Sequence, residues 1–349
     1  MTKRFLTLFL AVILLPLWAF AEGNEVYLRI DRDNITAWKG RLTNARHLNE
    51  ERMSGCAQFS KNQFQKWAAA LRKKSDNVWI VDCRLETHGF INGIAVSWSN
   101  SQNNVNLGKT AAEVEAEEAA FTALVGTTVA TYTLDTDPPK FAMDLTVETW
   151  ETERDLVEAE GFGYLRLACP DHIWPPADTI DEFIAFSKNL PEDAWLCFHC
   201  HAGSGRTGCF MTIWEMMQKP DATLEEILSH QAETGSTNML KRAESETETD
   251  SNTPLDSFAL ERKRASQERG VMVRAIYIYI QENSATDYAV TWSDWLAAHS
   301  QTVTLQVGQT LEGDGYSSDP LVVSDALEAR TVGQATVLVG DTVVYITVE

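Results

Sequence analysis

Apolar and polar residues recur with two different periods along this chain, and the segments they mark follow one another as helices and strands. Residues 61–74 (KNQFQKWAAALRKK) place Phe64, Trp67 and Leu71 on one side at helical spacing. The polar turn Ser75-Asp76-Asn77 then leads into a short apolar strand, Val78–Val81. Glu25–Ile30 and Tyr164–Leu167 also read as strands. Residues 110–125, Thr152–Ala159 and about Leu260–Glu282 read as helices, and the Asn-rich stretch 97–109 as a loop. Asp178 or Thr179 is placed to cap a helix that runs to Leu190 and stops at Pro191. Trp195–Phe198 is a short apolar strand, the Gly-rich stretch His201–Gly208 follows, and an apolar helix continues through Met217. Strand, loop and helix in repeated succession predict an α/β sheet with helices on both faces. Residues 242–257 are polar and acidic, the composition of a mobile surface loop. From about Thr302 the pattern changes to strict alternation (VTLQV, ATVLV, TVVYITV) between Gly and Asp turns, which predicts a β-rich extension over 300–349.

The chain of 349 residues is long enough for one large core and a smaller module. Lys3 and Arg4, the apolar run Phe5–Phe20 and Ala19-Phe20-Ala21 read as a signal peptide over 1–21, cleaved after Ala21. A retained anchor is the alternative, but Pro16 interrupts the run, which falls short of the roughly 20 residues a span needs. The expected location is secreted or periplasmic, without membrane insertion after cleavage. Three of the six cysteines crowd into 197–209, unlike a disulfide framework. Cys197 and Cys200 have CxxC spacing but no second ligand pair, so no metal site is expected. The net charge of −21 argues against nucleic acid or an anionic membrane as partner. The charge is uneven, however. After Ala275 the only Lys or Arg is Arg330, against ten acidic residues, so a local positive funnel in the earlier part remains open.

The candidate chemistry lies in His199-Cys200-His201-Ala202-Gly203-Ser204-Gly205-Arg206-Thr207-Gly208. A Cys followed by five residues and Arg, between a strand and a helix, can turn backbone N–H groups of His201, Ala202, Gly203, Ser204 and Gly205 into an anion nest. The helix start adds positive potential at the same point. These dipoles stabilise a thiolate at Cys200 and make it a nucleophile. Arg206 can grip two phosphate oxygens with its planar fork, and the Thr207 hydroxyl can donate to the sulfur. A phosphocysteine route also needs a general acid on a separate loop. Asp171, flanked by Pro170 and Pro175-Pro176, fits; a turn whose Asp only caps a helix is the alternative. His172 can hold the leaving oxygen or Asp171, or serve the structure alone.

This segment resembles the phosphate loop of the protein-tyrosine-phosphatase superfamily. Further stretches resemble one branch of it, the protein-tyrosine-phosphatase-like inositol polyphosphatases, or cysteine phytases: Asp82–Gly93 (DCRLETHGFING), Val96-Ser97-Trp98, Asn106–Lys109, Asp171–Pro175 and Trp292–Leu296. The resemblance covers about residues 25–299. It implies a phosphatase α/β core (a central sheet flanked by helices) over 22–299, with a small β-barrel-like insertion at about 91–150. It also implies stepwise dephosphorylation of myo-inositol polyphosphates without any metal or organic cofactor. Carried onto this chain, Cys200 is the nucleophile, Asp171 the acid, Arg206 the clamp and His172 a substrate contact. Arg46, Arg262 and Arg264 fall near positions where the family meets the substrate, although Arg262-Lys263-Arg264 also reads as a solvated helix face. The chain departs from the family pattern at His201, where Glu is usual, and at Ser204, Gly208 and Cys83. Cys83 is either a small core residue or the partner of Cys200 in a reversible disulfide. Three function classes follow: an inositol-polyphosphate phosphatase, a secreted protein-tyrosine or dual-specificity phosphatase, and a catalytically inactive anion-binding module. The alternating tail could serve surface attachment or self-association.

Overall fold

The structure is a computed structural model that describes residues 25–31, 42–100, 103–133, 139–240 and 257–349, with backbone alone over 257–262. The predicted signal segment, the acidic stretch 242–256 and the Arg262 side chain lie outside the described residues. Five strands make the central sheet, in the order β10 (Gly163–Arg166), β4 (Val78–Asp82), β11 (Trp195–Cys200), β3 (Met53–Ala57) and β2 (Arg46–Leu48). The first four run parallel, and β2 is antiparallel to β3. Every residue of β11 is buried, so this strand carries no polar alternation. Its side chains still divide between two cores. Leu196, Phe198 and Cys200 join Phe183, Phe210 and Ile276 on one face; Trp195 and Cys197 join Phe64, Leu71 and Leu156 on the other. Helices therefore cover both faces, as the α/β reading requires.

The first cluster draws on α4 (Ala177–Ser187), α5 (Gly205–Gln218), α6 (Leu224–Glu233), α7 (Ser257–Asn283) and α8 (Trp292–Ala298); the second on α1 (Lys61–Leu71) and α3 (Glu153–Ala159). Ser60 caps α1 in a reciprocal box with Gln63, and Thr152 caps α3. The predicted cap at Asp178 or Thr179 is corrected: α4 begins at Ala177 behind Pro176, with no side-chain cap. Among the described residues no helix is long and apolar enough to cross a membrane.

A second sheet has the order β8 (Lys140–Thr146), β7 (Thr128–Thr133), β1 (Tyr27–Ile30), β6 (Ile94–Ser99), β5 (His88–Ile91) and β9 (Trp150–Glu151). It takes the place of the expected barrel-like insertion, but its end strands β8 and β9 do not pair with each other among the described residues. It also takes in β1, from ahead of the central sheet in sequence. The third sheet is β12 (Ser300–Leu305), β15 (Thr342–Val348), β14 (Gly333–Val339) and β13 (Tyr316–Ser317), with a small core of its own.

His199, one residue before Cys200, enters a fully buried cluster that joins β11 to the second sheet. Its Nε2 lies 2.5 Å from Glu153 Oε1 and 3.7 Å from Asp82 Oδ1. His88 Nε2 approaches Glu153 at 3.3 Å and Asp82 at 3.4 Å. Burial alone would push the His199 imidazolium toward neutrality, but Glu153 and Asp82 overcome it and raise its pKa to about 9. This contribution to stability is complete below the unfolded histidine value and is lost as pH rises through about 9. Urea unfolding at pH 6 and pH 9.5 should therefore show the wild type losing on the order of 3 kcal/mol more than Glu153→Gln. Equal losses in the two proteins would remove this assignment.

Candidate active site

Cys200 ends the central strand β11, and the loop after it is held from outside. The carbonyl of His201 accepts from Gln58 N–H at 3.2 Å, and that of Ala202 from Asn44 Nδ2 at 2.7 Å. The carbonyl of Gly203 accepts from Arg46 Nη1 at 2.8 Å, and that of Ser204 from Thr237 N–H at 3.2 Å. With four successive carbonyls engaged outward, the N–H groups of the turn are left for its concave side, and Gly203 N–H already donates to Cys200 Sγ at 3.3 Å. Gly203 has φ +73 and lies against the backbone of Cys56 and Ala57, where a Cβ would come within 2.5 Å. Only glycine suits that position. Ser204 at the start of α5 forms no side-chain cap, so the helix's first N–H groups also remain for a ligand.

Arg206 is buried, and its five N–H donors divide cleanly. Nη1 donates to Glu86 Oε2 at 2.6 Å and to the Cys169 carbonyl at 3.0 Å, and Nη2 donates to Glu86 Oε1 at 2.8 Å. One Nη2 hydrogen and Nε–H remain, side by side, a fork of the shape that can take two oxygens of a phosphate. Asp171 Oδ1 faces that Nε at 3.3 Å. Asp171 also accepts from Asn103 Nδ2 at 2.9 Å and from His172 N–H at 3.0 Å. Burial would raise its pKa, but Arg206 outweighs burial and holds it below the usual carboxylate range. The resting site thus carries an ionised Asp171.

Burial likewise pushes the Cys200 thiol up. Arg206, followed by the hydroxyl and N–H of Thr207, brings it below its ordinary value. His201 is driven down to about 3 by burial and by Arg29, so this imidazole is neutral at physiological pH. Cys83 goes the other way: burial and then Cys200 raise its thiol well above the usual value, and both cysteines are free.

These groups border a cavity of about 500 Å³ that is also lined by Arg29, Asn103 and Arg269. The structure brings together Cys200, Asp171, His172, Arg206 and the loop residues. It sends two predicted rim residues elsewhere. Arg46 bonds the backbone of the loop and is not among the groups lining the cavity. Arg264 is exposed and donates to Gln334 of the third sheet. Two further arginines that line the cavity, Arg29 on β1 and Arg269 on α7, are not singled out by the sequence reading, nor is Glu86 as the partner of Arg206. The spacing Asp82-x-Arg84-x-Glu86 at a strand end was the available signal. Among the described residues two clusters carry metal-ligand types, Glu51/Glu215/His230 and Asp82/His88/Glu153. Each already encloses a cationic side chain, Lys219 in the first and His199 in the second.

The family model PTPlike_phytase, described as "Inositol hexakisphosphate", matches residues 81–218. The tandemly repeated protein tyrosine phosphatase like phytase of Mitsuokella multacida is 37% identical, with TM-score 0.64, over 72% of this chain and 42% of its own. A structure of the PTP-like myo-inositol phosphatase from the same organism, in complex with myo-inositol-(1,3,4,5)-tetrakisphosphate, is 36% identical over the same shares, also with TM-score 0.64. A PTP-like phytase from Bdellovibrio bacteriovorus is 26% identical with TM-score 0.63, covering 77% of this chain and 94% of that one. The effector protein hopD2 of Pseudomonas syringae pv. tomato is 25% identical over 72% of this chain. The chain spans 52% of hopD2 and 42% of each Mitsuokella chain.

The electrostatics make a direct prediction. Iodoacetate should alkylate Cys200 with a pH midpoint below that of an ordinary thiol, and Arg206→Gln should move the midpoint upward. An unchanged midpoint in the variant would show that Arg206 does not stabilise the thiolate.

Proposed function

The chain belongs to the protein-tyrosine-phosphatase-like phytase family, and from that premise we propose that it hydrolyses phosphate monoesters of myo-inositol polyphosphates through a phosphocysteine intermediate. The observation that carries the reading is the buried Cys200 in its outward-braced loop, with two free N–H groups of Arg206 and the carboxyl of Asp171 at the same cavity. A phosphate dianion seats in the loop and takes the open fork of Arg206. That draws positive charge away from Asp171, whose pKa rises, so the carboxyl takes up a proton. Cys200 Sγ attacks phosphorus, the bond from phosphorus to the inositol oxygen breaks, and Asp171 passes its proton to that oxygen. Water then attacks the phosphocysteine while Asp171 takes one of its protons. The P–S bond breaks, Thr207 and Gly203 N–H receive the thiolate, and inorganic phosphate leaves. His172, beside Asp171 at 3.4 Å, lines the mouth of the cavity and meets the leaving oxygen.

Arg206 and the backbone nest supply the positive charge that this chemistry needs, so the reading requires no metal or organic cofactor. The charged start and apolar run at Lys3–Phe20 support export before the enzyme meets its anionic substrate.

Phosphate release should be measured from inositol hexakisphosphate and from a phosphotyrosine peptide, with reductant and without metal. Wild type should release phosphate strongly from the first, Cys200→Ser should release none, and Asp171→Asn should be slower by roughly 10²–10⁴-fold. Release from the peptide alone would move the protein to the tyrosine-phosphatase class. Activity that survives Cys200→Ser would overturn the mechanism.

A further inference from the structure

Helix α7 reaches the cavity through Arg269, which is 7% exposed and whose Nε is buried without a hydrogen-bond partner. The residues around Arg269 on the same helix are held by the third sheet. A Cβ at Gly270 would lie 2.6 Å from Tyr316 Oη, so the tyrosine rests on the helix backbone next to Arg269. The Arg274 guanidinium sits 4.1 Å from the centre of the Tyr316 ring. Thr336 Oγ1 donates to Glu268 Oε1 at 2.9 Å, and Arg264 Nη1 donates to Gln334 Oε1 at 2.5 Å. Burial raises the Glu268 carboxyl, against the Thr336 bond, which fits a packed interface.

The same tyrosine holds a second wall. Tyr316 Oη donates to the Leu240 carbonyl at 3.3 Å. Three residues earlier, Thr237 lines the cavity and donates its N–H to the Ser204 carbonyl of the phosphate loop. The contact is also apolar. Leu338 and Val343 of the third sheet belong to the main core together with Val271, Met272 and Ile276 of α7.

We propose that the C-terminal sheet is part of the active-site architecture. In this assignment Tyr316 is a positioning residue that sets Arg269 to hold a substrate phosphate other than the one under attack. The inference rests on the inositol-polyphosphate reading above. The phosphate loop and Arg206 engage one phosphate group. A polyphosphate in a cavity of about 500 Å³ brings further dianions, and Arg269 is a charged donor on another wall. Its placement depends on α7, and α7 is fixed at residues 264, 268, 270 and 274 by the third sheet.

The test uses the full chain and two substrates, inositol hexakisphosphate and p-nitrophenyl phosphate, which carries a single phosphate. Arg269→Ala should lower kcat/KM for the hexakisphosphate about ten- to a hundredfold more than for p-nitrophenyl phosphate, chiefly through KM. Tyr316→Ala should reproduce that split, and the double variant should be no worse than Arg269→Ala alone. Tyr316→Phe, which keeps the ring over Gly270 and Arg274, should fall between wild type and Tyr316→Ala. It also keeps the test open if the alanine variant does not fold. The proposal is overturned if the Tyr316 variants slow both substrates alike, if they act on neither while Arg269→Ala does, or if the two losses multiply. A wild type that hydrolyses p-nitrophenyl phosphate but not the hexakisphosphate overturns the substrate reading and this inference together.

Discussion

The arrangement at Cys200 depends on one buried ion pair, Glu86 with Arg206. Glu86 receives Arg206 on both carboxylate oxygens and also Arg84 Nε at 3.0 Å. Arg84 continues to Asp31 Oδ2 at 2.8 Å, and Asp31 accepts from Arg29 at 2.9 Å and from Ser97 at 2.6 Å. Charges alternate along this path from the phosphate loop to the second sheet, and each carboxylate meets a guanidinium on either side. Removing one member of such a buried pair costs roughly 3–5 kcal/mol, because the other charge is left without compensation. The path therefore acts as a unit. It explains why β1, distant in sequence, is drawn into the second sheet beside β6, where Arg29 and Asp31 complete the chain.

The proposed reading asks a strongly acidic protein to receive a dianion, and the same path is compatible with that. The net charge of −21 is a sum over the whole chain, and screening limits the reach of exposed charges to roughly 8–10 Å. Around the cavity the carboxylates of Glu86 and Asp31 are engaged by arginines, and His201 is neutral. Arg29, Arg206 and Arg269 face the space between them. Local potential is set by these desolvated groups far more than by distant acidic side chains, since attraction strengthens as the effective dielectric falls. Glu at position 201, usual in the family, would add a carboxylate there; the half-buried neutral imidazole does not.

Much of the core was legible because its causes are local. The helix that begins at Lys61 and ends at Leu71, three residues short of the reading, the strand that begins at Val78 and the strand–loop–helix around Cys200 each follow from periodicity, caps or glycine placement within a dozen residues. Asp171 was legible for the same reason: a strand, an acid and flanking prolines are adjacent in the chain. The second sheet was not, since its order joins β1 to β6 and β7 across most of the fold, and nothing short-range selects those neighbours. Cap chemistry at α4 misled in a simpler way. Asp178 and Thr179 have the side chains of a cap, but Pro176 already fixes an extended residue before the first turn.

Two of the expected rim residues, Arg46 and Arg264, point elsewhere for a related reason that bears on specificity. Both fall near substrate contacts in the resemblance to the family, and a likeness in sequence carries no direction for a side chain. Arg46 donates Nη1 to the Gly203 carbonyl of the loop and to the Asn44 carbonyl, and Nη2 to Ser236 Oγ, so it helps to keep the loop turned out. Arg264 is turned to the third sheet, and Arg269, more than one turn further along the same helix, reaches the cavity. Which arginine of α7 faces the site is thus decided by what packs on the helix's other side. The residues to which the proposed reading gives the bond-making steps lie within a few positions of one another in two loops and belong to their motif. Arg269 and Tyr316, to which the further proposal gives the sorting of phosphate esters, stand on separate elements whose register is set by long-range packing, so on that proposal selectivity can change through a distant contact while the chemistry is preserved.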